Sequence, residues 1–278
     1  MLFFFEGGPQ SFEHTHFDKG QFMLEAYGEA LAVDPGTIDY SRPFSVHLKS
    51  TRFHNVITIN GKNQSYQDAE QAVIIRSLQE ESLYSVLRAD LSMSYKELSV
   101  YNRLILFVRP DYLLVLDEVD SLEPGLEWNL HSKGSYSKVE VGDRAQAASD
   151  EQAESDVEAS YTHTYRADAR LAGMHVAVVS DQPLTSELAT YTNDDKVLSH
   201  HLALRTDRTC TRLKLAALLL PYPHETKGGF IQTDIQIQRT NSGAVFTVRG
   251  SFGLDQIVCN FDDMRVHVER GEGNMIDV

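Results

Sequence analysis

Cysteine is nearly absent: the 278 residues hold two, Cys210 and Cys259. Their spacing makes no cysteine-based zinc site and no redox Cys-x-x-C pair, so they read either as free core thiols or as one bridge between neighbouring strands. Proline is scarce, with eight residues, and no run approaches the roughly 20 apolar residues of a membrane span. The opening Met-Leu-Phe-Phe-Phe-Glu is too short for a signal-peptide apolar region and lacks a basic start, so the chain as written is expected to be cytoplasmic or a piece of something longer. Basic residues are outnumbered, with 25 Lys and Arg against 40 Asp and Glu and a formal charge of −15. Nucleic acid and anionic membrane are therefore excluded as general partners, because both are held by a basic footprint. An acidic substrate would need a local basic pocket.

Apolar residues make up 42% of the chain, enough for a substantial core, and aromatics are plentiful with 12 Tyr and 13 Phe. The dominant pattern is short alternating or apolar runs between turn residues, which predicts strands at 2–6, 20–27, 30–33, 54–60, 72–79, 82–91, 94–108, 112–119, 126–132 and 136–141. Strands resume at 175–180, 200–205, 211–221, 229–239, 244–250 and 254–261, before a polar tail. Residues 143–158 are acidic and poor in large apolar side chains, the composition of an exposed loop. The expected architecture is one all-β domain over 1–278, a large antiparallel multi-sheet β-sandwich of the supersandwich kind.

Chemistry concentrates near the N-terminal end. His14-Thr15-His16 places two imidazoles on one strand face, with Asp34 eighteen residues after His16 and His54 twenty further on. Three imidazoles and a carboxylate are the ligand types of a borderline metal such as zinc. Each residue also has an ordinary reading: a polar loop for the His pair, a turn former for Asp34 before Pro35, a strand start for His54. A cupin-like iron site is a competitor, since Gln21 stands five residues after His16 and Gly28 seven after Gln21. Gln replaces the usual Glu there, and His54 lies too far downstream for the second cupin motif.

Four pieces within 3–61 are similar to the start of the C-terminal β-domain of the heparinase II/III-like polysaccharide lyases. They are Phe-Phe-Phe-Glu-Gly-Gly, His-Thr-His-Phe-Asp-Lys-Gly-Gln-Phe, Gly-Glu-Ala-Leu-Ala-Val-Asp-Pro-Gly-Thr and Ser-Thr-Arg-Phe-His-Asn-Val-Ile-Thr-Ile-Asn-Gly. Weaker echoes continue in 103–119, with Asp117, and in Trp128-Asn129-Leu130-His131. The resemblance implies a sandwich that joins an α/α toroid to form a cleft for acidic polysaccharide, cleaved by β-elimination at a uronic acid. It also implies one zinc ion on His16, Asp34 and His54, structural in role, with His14 facing the substrate.

Elimination removes a weakly acidic C5 proton, so it needs a base, an acid and groups that neutralise the carboxylate. Tyr40 is the candidate tyrosine, and Arg42, Lys49 and Arg52 are the candidate cations; an interface tyrosine and a solvated basic loop are the competing readings. His131 is a neighbour of the site or a core histidine, and Asp117 is structural. The toroid is missing from these residues, so a partner domain or chain is expected to complete the site, and a non-catalytic glycan-binding or assembly module is the alternative. The family setting implies periplasm or cell envelope, and exposed sheet edges allow a homodimer.

Overall fold

Some runs, such as Leu-Leu-Val-Leu at 113–116 and Ala-Ala-Leu-Leu-Leu at 216–220, are apolar at every residue rather than every second one. Successive side chains of a strand point to opposite faces, so such runs must be covered on both sides. The computed structural model describes residues 1–10, 15–39, 41–42, 44–139, 159–224, 234–271 and 273–278, and it provides that cover with three antiparallel sheets.

The first sheet has the order β1 (Leu2–Phe5), β2 (Phe22–Ala26), β3 (Glu29–Ala32). A short helix α1 (Ser45–Leu48) and a 3-10 turn (Thr51–Phe53) follow it. The large central sheet then holds β4 (Ile57–Ile59), β5 (Ile74–Glu80), β6 (Tyr84–Asp90), β7 (Leu98–Val108), β8 (Tyr112–Ser121) and β9 (Leu126–Ser132). It continues with β10 (Ser135–Lys138), β11 (Ser160–Asp168), β12 (Ala172–Asn193), β13 (Lys196–Arg205) and β14 (Arg212–Pro223). Its main path runs β4-β9-β13-β12-β14-β8-β7-β6-β5. The third sheet is a meander of β15 (Asp234–Thr240), β16 (Gly243–Gly250), β17 (Gly253–Asn260), β18 (Arg265–Arg270) and β19 (Met275–Asp277). Strand β12 is a link: its first half pairs with β11 and β14, and its second half pairs with β13.

Alternate residues of the central sheet feed two different cores. Ile105, Leu113, Val115 and Leu215 pack with Phe22 and Leu24 of the first sheet and with Trp128 and Leu202 of the β4-β9-β13 wing. Leu104, Leu114, Leu116 and Leu218 pack with Phe246, Val248, Ile257 and Val268 of the third sheet. Each such side chain contributes about 1.5–3 kcal/mol when fully buried.

One charged pair lies inside the first core. Arg103 of β7 and Asp117 of β8 are register partners, and both side chains are fully buried. The guanidinium donates to both carboxylate oxygens at 2.7 Å, a bidentate pairing. Its remaining nitrogen donates to the carbonyls of Gly20 at 2.6 Å and Asn55 at 2.9 Å. Asp117 also accepts the Trp128 indole N–H at 3.2 Å. A single ion pair thus joins the start of β2, the segment before β4, and β9 to the centre of the large sheet.

The all-β architecture agrees with the sequence reading, and 126–132 and 244–250 are strands over those residues. The 54–60 strand is shorter than expected: helix α1 and the 3-10 turn occupy 45–53, and pairing begins only at Ile57. Strand β11 and the second half of β12 were not expected, and the expected polar tail instead forms β18 and β19, the last strands of the third sheet. The acidic stretch 143–158 lies outside the described residues. The cysteines are both free, Cys259 buried and Cys210 half-buried, so no bridge forms between them. The cupin alternative finds no jelly roll in this sheet order. No helix among the described residues is long and apolar enough to cross a membrane.

Replacing one member of a buried pair leaves the other charged and unpaired, at a cost of about 3–5 kcal/mol. Arg103→Leu should lower stability by that amount in urea unfolding, whereas a loss below about 1 kcal/mol would show that the pair carries little.

Candidate metal centre

The loop before β2 turns sharply at Gly20, whose φ is +87° and whose added Cβ would lie 1.7 Å from Leu91 Cδ2, so a larger residue would strain the backbone and displace the Leu91 side chain. That turn returns the chain to pair with β1, through Gly20 N–H to Glu6 O at 2.8 Å and Glu6 N–H to Gln21 O at 2.9 Å. The rest of the loop is pinned by Phe17 N–H to Lys49 O at 2.9 Å and by a reciprocal amide exchange between Lys19 and Gln64. Asp34 follows β3 and accepts the Gly36 N–H at 2.7 Å, an Asx turn. His54 leaves the 3-10 turn as its C-cap, with its N–H on Thr51 O.

These three segments bring His16, Asp18, Asp34 and His54 together, with one ligand atom of each within 4.8 Å of all the others. The two imidazoles tilt at 45° with centroids 5.2 Å apart. Gln21 sits behind them: its amide donates to Asp34 Oδ2 at 2.9 Å, and its carbonyl lies 3.2 Å from His54 Nδ1. That chain of bonds makes Nδ1 the protonated nitrogen of His54. The other nitrogen, Nε2, is buried and has no hydrogen-bond partner among the described residues. A buried bare lone pair beside two carboxylates and a second imidazole is a donor set suited to a borderline divalent cation.

Electrostatics agree. Burial pushes His54 down to about 3, against the pull of Asp34, so it is neutral near pH 7. Burial also lowers His16, although Asp34 opposes this. The Asp34 carboxyl resists its own burial and stays below the usual carboxylate range because His54, the Gln21 amide and the Gly36 N–H outweigh it. Asp18 is pushed up to about 7, by burial first and then by the Glu6 and Asp34 carboxylates, with Lys19 opposing. Two carboxylates crowded in this way, with two neutral imidazoles, gain from a cation that relieves their repulsion.

The structure therefore gathers His16, Asp34 and His54, the three residues expected to share a ligand sphere, and adds Asp18. The signal for Asp18 was its place two residues after His16 in the same short loop before β2. His14 and Tyr40 lie outside the described residues. The three expected cations do not converge. Arg42 is exposed and pairs with Asp194 at 2.5 Å. Arg52 turns to Glu127 at 3.1 Å and Glu187 at 3.3 Å, which Arg205 also engages. Lys49 alone bears on the cluster, its charge acting on His16. His131 is buried, with Nε2 on Arg52 O at 2.8 Å and Nδ1 on Ser199 Oγ at 3.1 Å. Asn55, not singled out in the sequence, donates to Phe22 O at 2.7 Å and Val33 O at 3.2 Å and accepts the His131 N–H at 2.7 Å.

Residues 1–200 match the family model described as Heparinase II/III-like, C-terminal. A heparin-sulfate lyase of Bacteroides stercoris is 30% identical over 131 residues, covering 45% of this chain and 19% of that protein. Among solved structures, the heparan sulfate lyase HepC from Pedobacter heparinus superposes with a TM-score of 0.65 at 16% identity, covering 99% of this chain and 39% of that one. The heparinase III-BT4657 gene product gives 0.63 at 16% identity, with 99% and 38% covered. At that identity the likeness speaks to the fold, and the chain spans well under half the length of these relatives.

Burial lowers His131 from 6.5 to about 4. The unfolded chain takes up a proton as pH falls through 6.5, while the folded chain does not until about 4, so stability is full above 6.5 and lost on the way down. Each such group adds a slope of about 1.4 kcal/mol per pH unit in that window. The His131→Asn variant should show a pH–stability curve shallower by about one proton between those values in urea unfolding, and a parallel curve would contradict the burial of a neutral imidazole.

Proposed function

The chain belongs to the Heparinase II/III-like, C-terminal family, and on that premise we propose that it is the β-sandwich part of a polysaccharide lyase that cleaves uronic-acid-containing glycans by β-elimination. The convergence of His16, Asp18, Asp34 and His54 is the observation that carries the reading. In this account His16, Asp34 and His54 hold one zinc ion, with Asp18 at hand as a further ligand. When bound, the ion supplies a fixed positive charge that locks the 15–21 loop against the turn at Asp34.

The chain's own groups then do the rest. His14, two residues from a fixed ligand, is presented to the substrate and moves a proton there, and Tyr40, six residues past Asp34, serves as the second proton carrier. Removing the C5 proton drives its electron pair onto the uronate carboxylate; that pair then forms the C4–C5 double bond as the C4–O bond breaks, the departing oxygen takes a proton from the second carrier, and the carboxylate returns to a single negative charge on an unsaturated sugar end. Of the three candidate cations, Lys49 is the one whose charge acts on the cluster and is assigned to meet that carboxylate, while Arg42 and Arg52 would have to leave the acids they pair with to join it. An α/α toroid, on the same chain or another, completes the cleft, and the setting is the periplasm or cell envelope. The relatives' names, heparin-sulfate lyase and heparan sulfate lyase, make glycosaminoglycans the first substrates to try.

The test follows the absorbance of unsaturated product when the chain, alone and combined with a lyase toroid, meets heparan sulfate, hyaluronan or alginate. Product is expected in the combined setting, with His14→Ala slowing it at least about 100-fold, the scale of a lost general acid or base. No product from any polyuronate in either setting rejects the lyase reading, and glycan retention without product favours the non-catalytic alternative.

A further inference from the structure

Gln21 touches three of the four clustered residues. Its backbone N–H donates to Asp18 O at 3.0 Å, its amide nitrogen donates to Asp34 Oδ2 at 2.9 Å, and its amide oxygen accepts the His54 Nδ1–H at 3.2 Å. The residue is 3% exposed, and its backbone is fixed from outside the cluster. Gln21 O takes the Glu6 N–H at 2.9 Å, and the neighbouring Gly20 O is held by Arg103 at 2.6 Å. The amide cannot turn over, because an ionised Asp34 only accepts and would then face the amide oxygen. In sequence Gln21 stands where a cupin carries a ligating Glu, yet here both ends of the amide are spent on the ligands rather than on an ion.

What the amide keeps apart matters as much as what it joins. His54 Nδ1 and Asp34 Oδ2 lie 3.6 Å from each other, too far for a hydrogen bond. An N–H and a carboxylate oxygen this close would otherwise draw together to about 2.8 Å. Gln21 prevents this by giving His54 a neutral acceptor and Asp34 a neutral donor. The two nitrogens of an imidazole point to different sides of the ring. A carboxylate drawn onto Nδ1 is therefore drawn away from the side on which Nε2 would hold an ion. Each oxygen of Asp34 keeps a lone pair beyond its bond to Gln21 or Gly36, so the carboxylate is positioned without being used up.

We infer that Gln21 is a positioning residue that holds Asp34 and His54 apart, so that the site accepts a divalent cation without first breaking a bond between its own ligands. The gain is one of preorganisation: the ligands stand ready, and the ordering is done by the fold. The inference rests on the cation reading of the cluster and adds the reason its ligands do not pair with each other.

Metal-free crystals, together with zinc titration against a chromophoric chelator, test it on wild type, Gln21→Met, Gln21→Leu and Gln21→Glu. Met and Leu fill the buried slot without an amide, and having both covers the case in which one fails to pack. In either, the His54 Nδ1 to Asp34 Oδ2 separation should close to about 2.8 Å. Zinc affinity should weaken about 10–100-fold, the scale of a lost outer partner of a metal ligand. Gln21→Glu keeps an acceptor for His54, so there the separation should stay beyond ~3.2 Å and zinc should bind more tightly than to Gln21→Met. A gap that stays open in the Met and Leu variants, one that closes in the Glu variant, or unchanged zinc affinity in Met and Leu each overturns the spacer role and leaves the zinc reading standing. Failure of the wild type to take up zinc overturns the zinc reading itself, and the spacer role with it.

Discussion

The structure depends on one buried ion pair. Arg103 and Asp117 lie where two charges are costly to desolvate, and the cost is met because all their polar atoms are used: two bonds between them, two carbonyls and one indole N–H. The carbonyls are informative. Gly20 is the residue before Gln21, and Asn55 is the residue after His54, so the guanidinium grips both backbone segments that flank the cluster. Phe22 and Tyr101 close over the guanidinium with ring centroids 5.5 Å away. Hydrophobic burial alone would stack the first sheet on the large one with freedom to slide, because apolar contacts are not directional. A bidentate pair with two further fixed acceptors removes that freedom.

From this grip the functional surface follows in two directions. On one side Gln21 ties Asp34 to His54 and sets the imidazole tautomer, while Asn55 ties β2 and the end of β3 to β9. On the other, Phe53 and the carbonyl of Arg52 reach the stacked His131 and His201 and Tyr191. The segment 51–55 therefore serves the candidate metal centre and the ring cluster of Phe53, Tyr191 and the stacked histidines at once. A local fold change there would disturb both, which explains why it is built as a 3-10 turn with buried Thr51 and Phe53 rather than as an open loop.

Much of this was legible in the sequence, and the reasons are physical. Alternating and continuous apolar runs gave the all-β class because strand periodicity is local. The trio His16, Asp34 and His54 was found through chemistry and through its resemblance to a lyase family. Asp18 escaped notice because an aspartate beside a lysine and glycine looks like any turn. Strand β11, Ser-Tyr-Thr-His-Thr-Tyr-Arg-Ala-Asp, and the second half of β12 were missed because they are polar on one or both faces, and a strand's identity there comes from its partner. The 45–53 region read as the approach to a strand, yet the chain uses it to turn and present His54. Arg52 looked like a substrate ligand because Glu127 and Glu187, its partners, are distant in sequence. The role of Arg103 was invisible for the same reason, since Gly20 and Asn55 become its neighbours only after folding.

The central claim is that this grip shapes one cation site from His16, Asp34 and His54. Crystals of the chain equilibrated with zinc, measured on both sides of the zinc absorption edge, test it most directly. A single anomalous peak bonded to those three side chains, with the Gln21 bridge intact behind them, is the result expected. No peak there, or a peak that leaves His54 Nε2 unbonded, would contradict it.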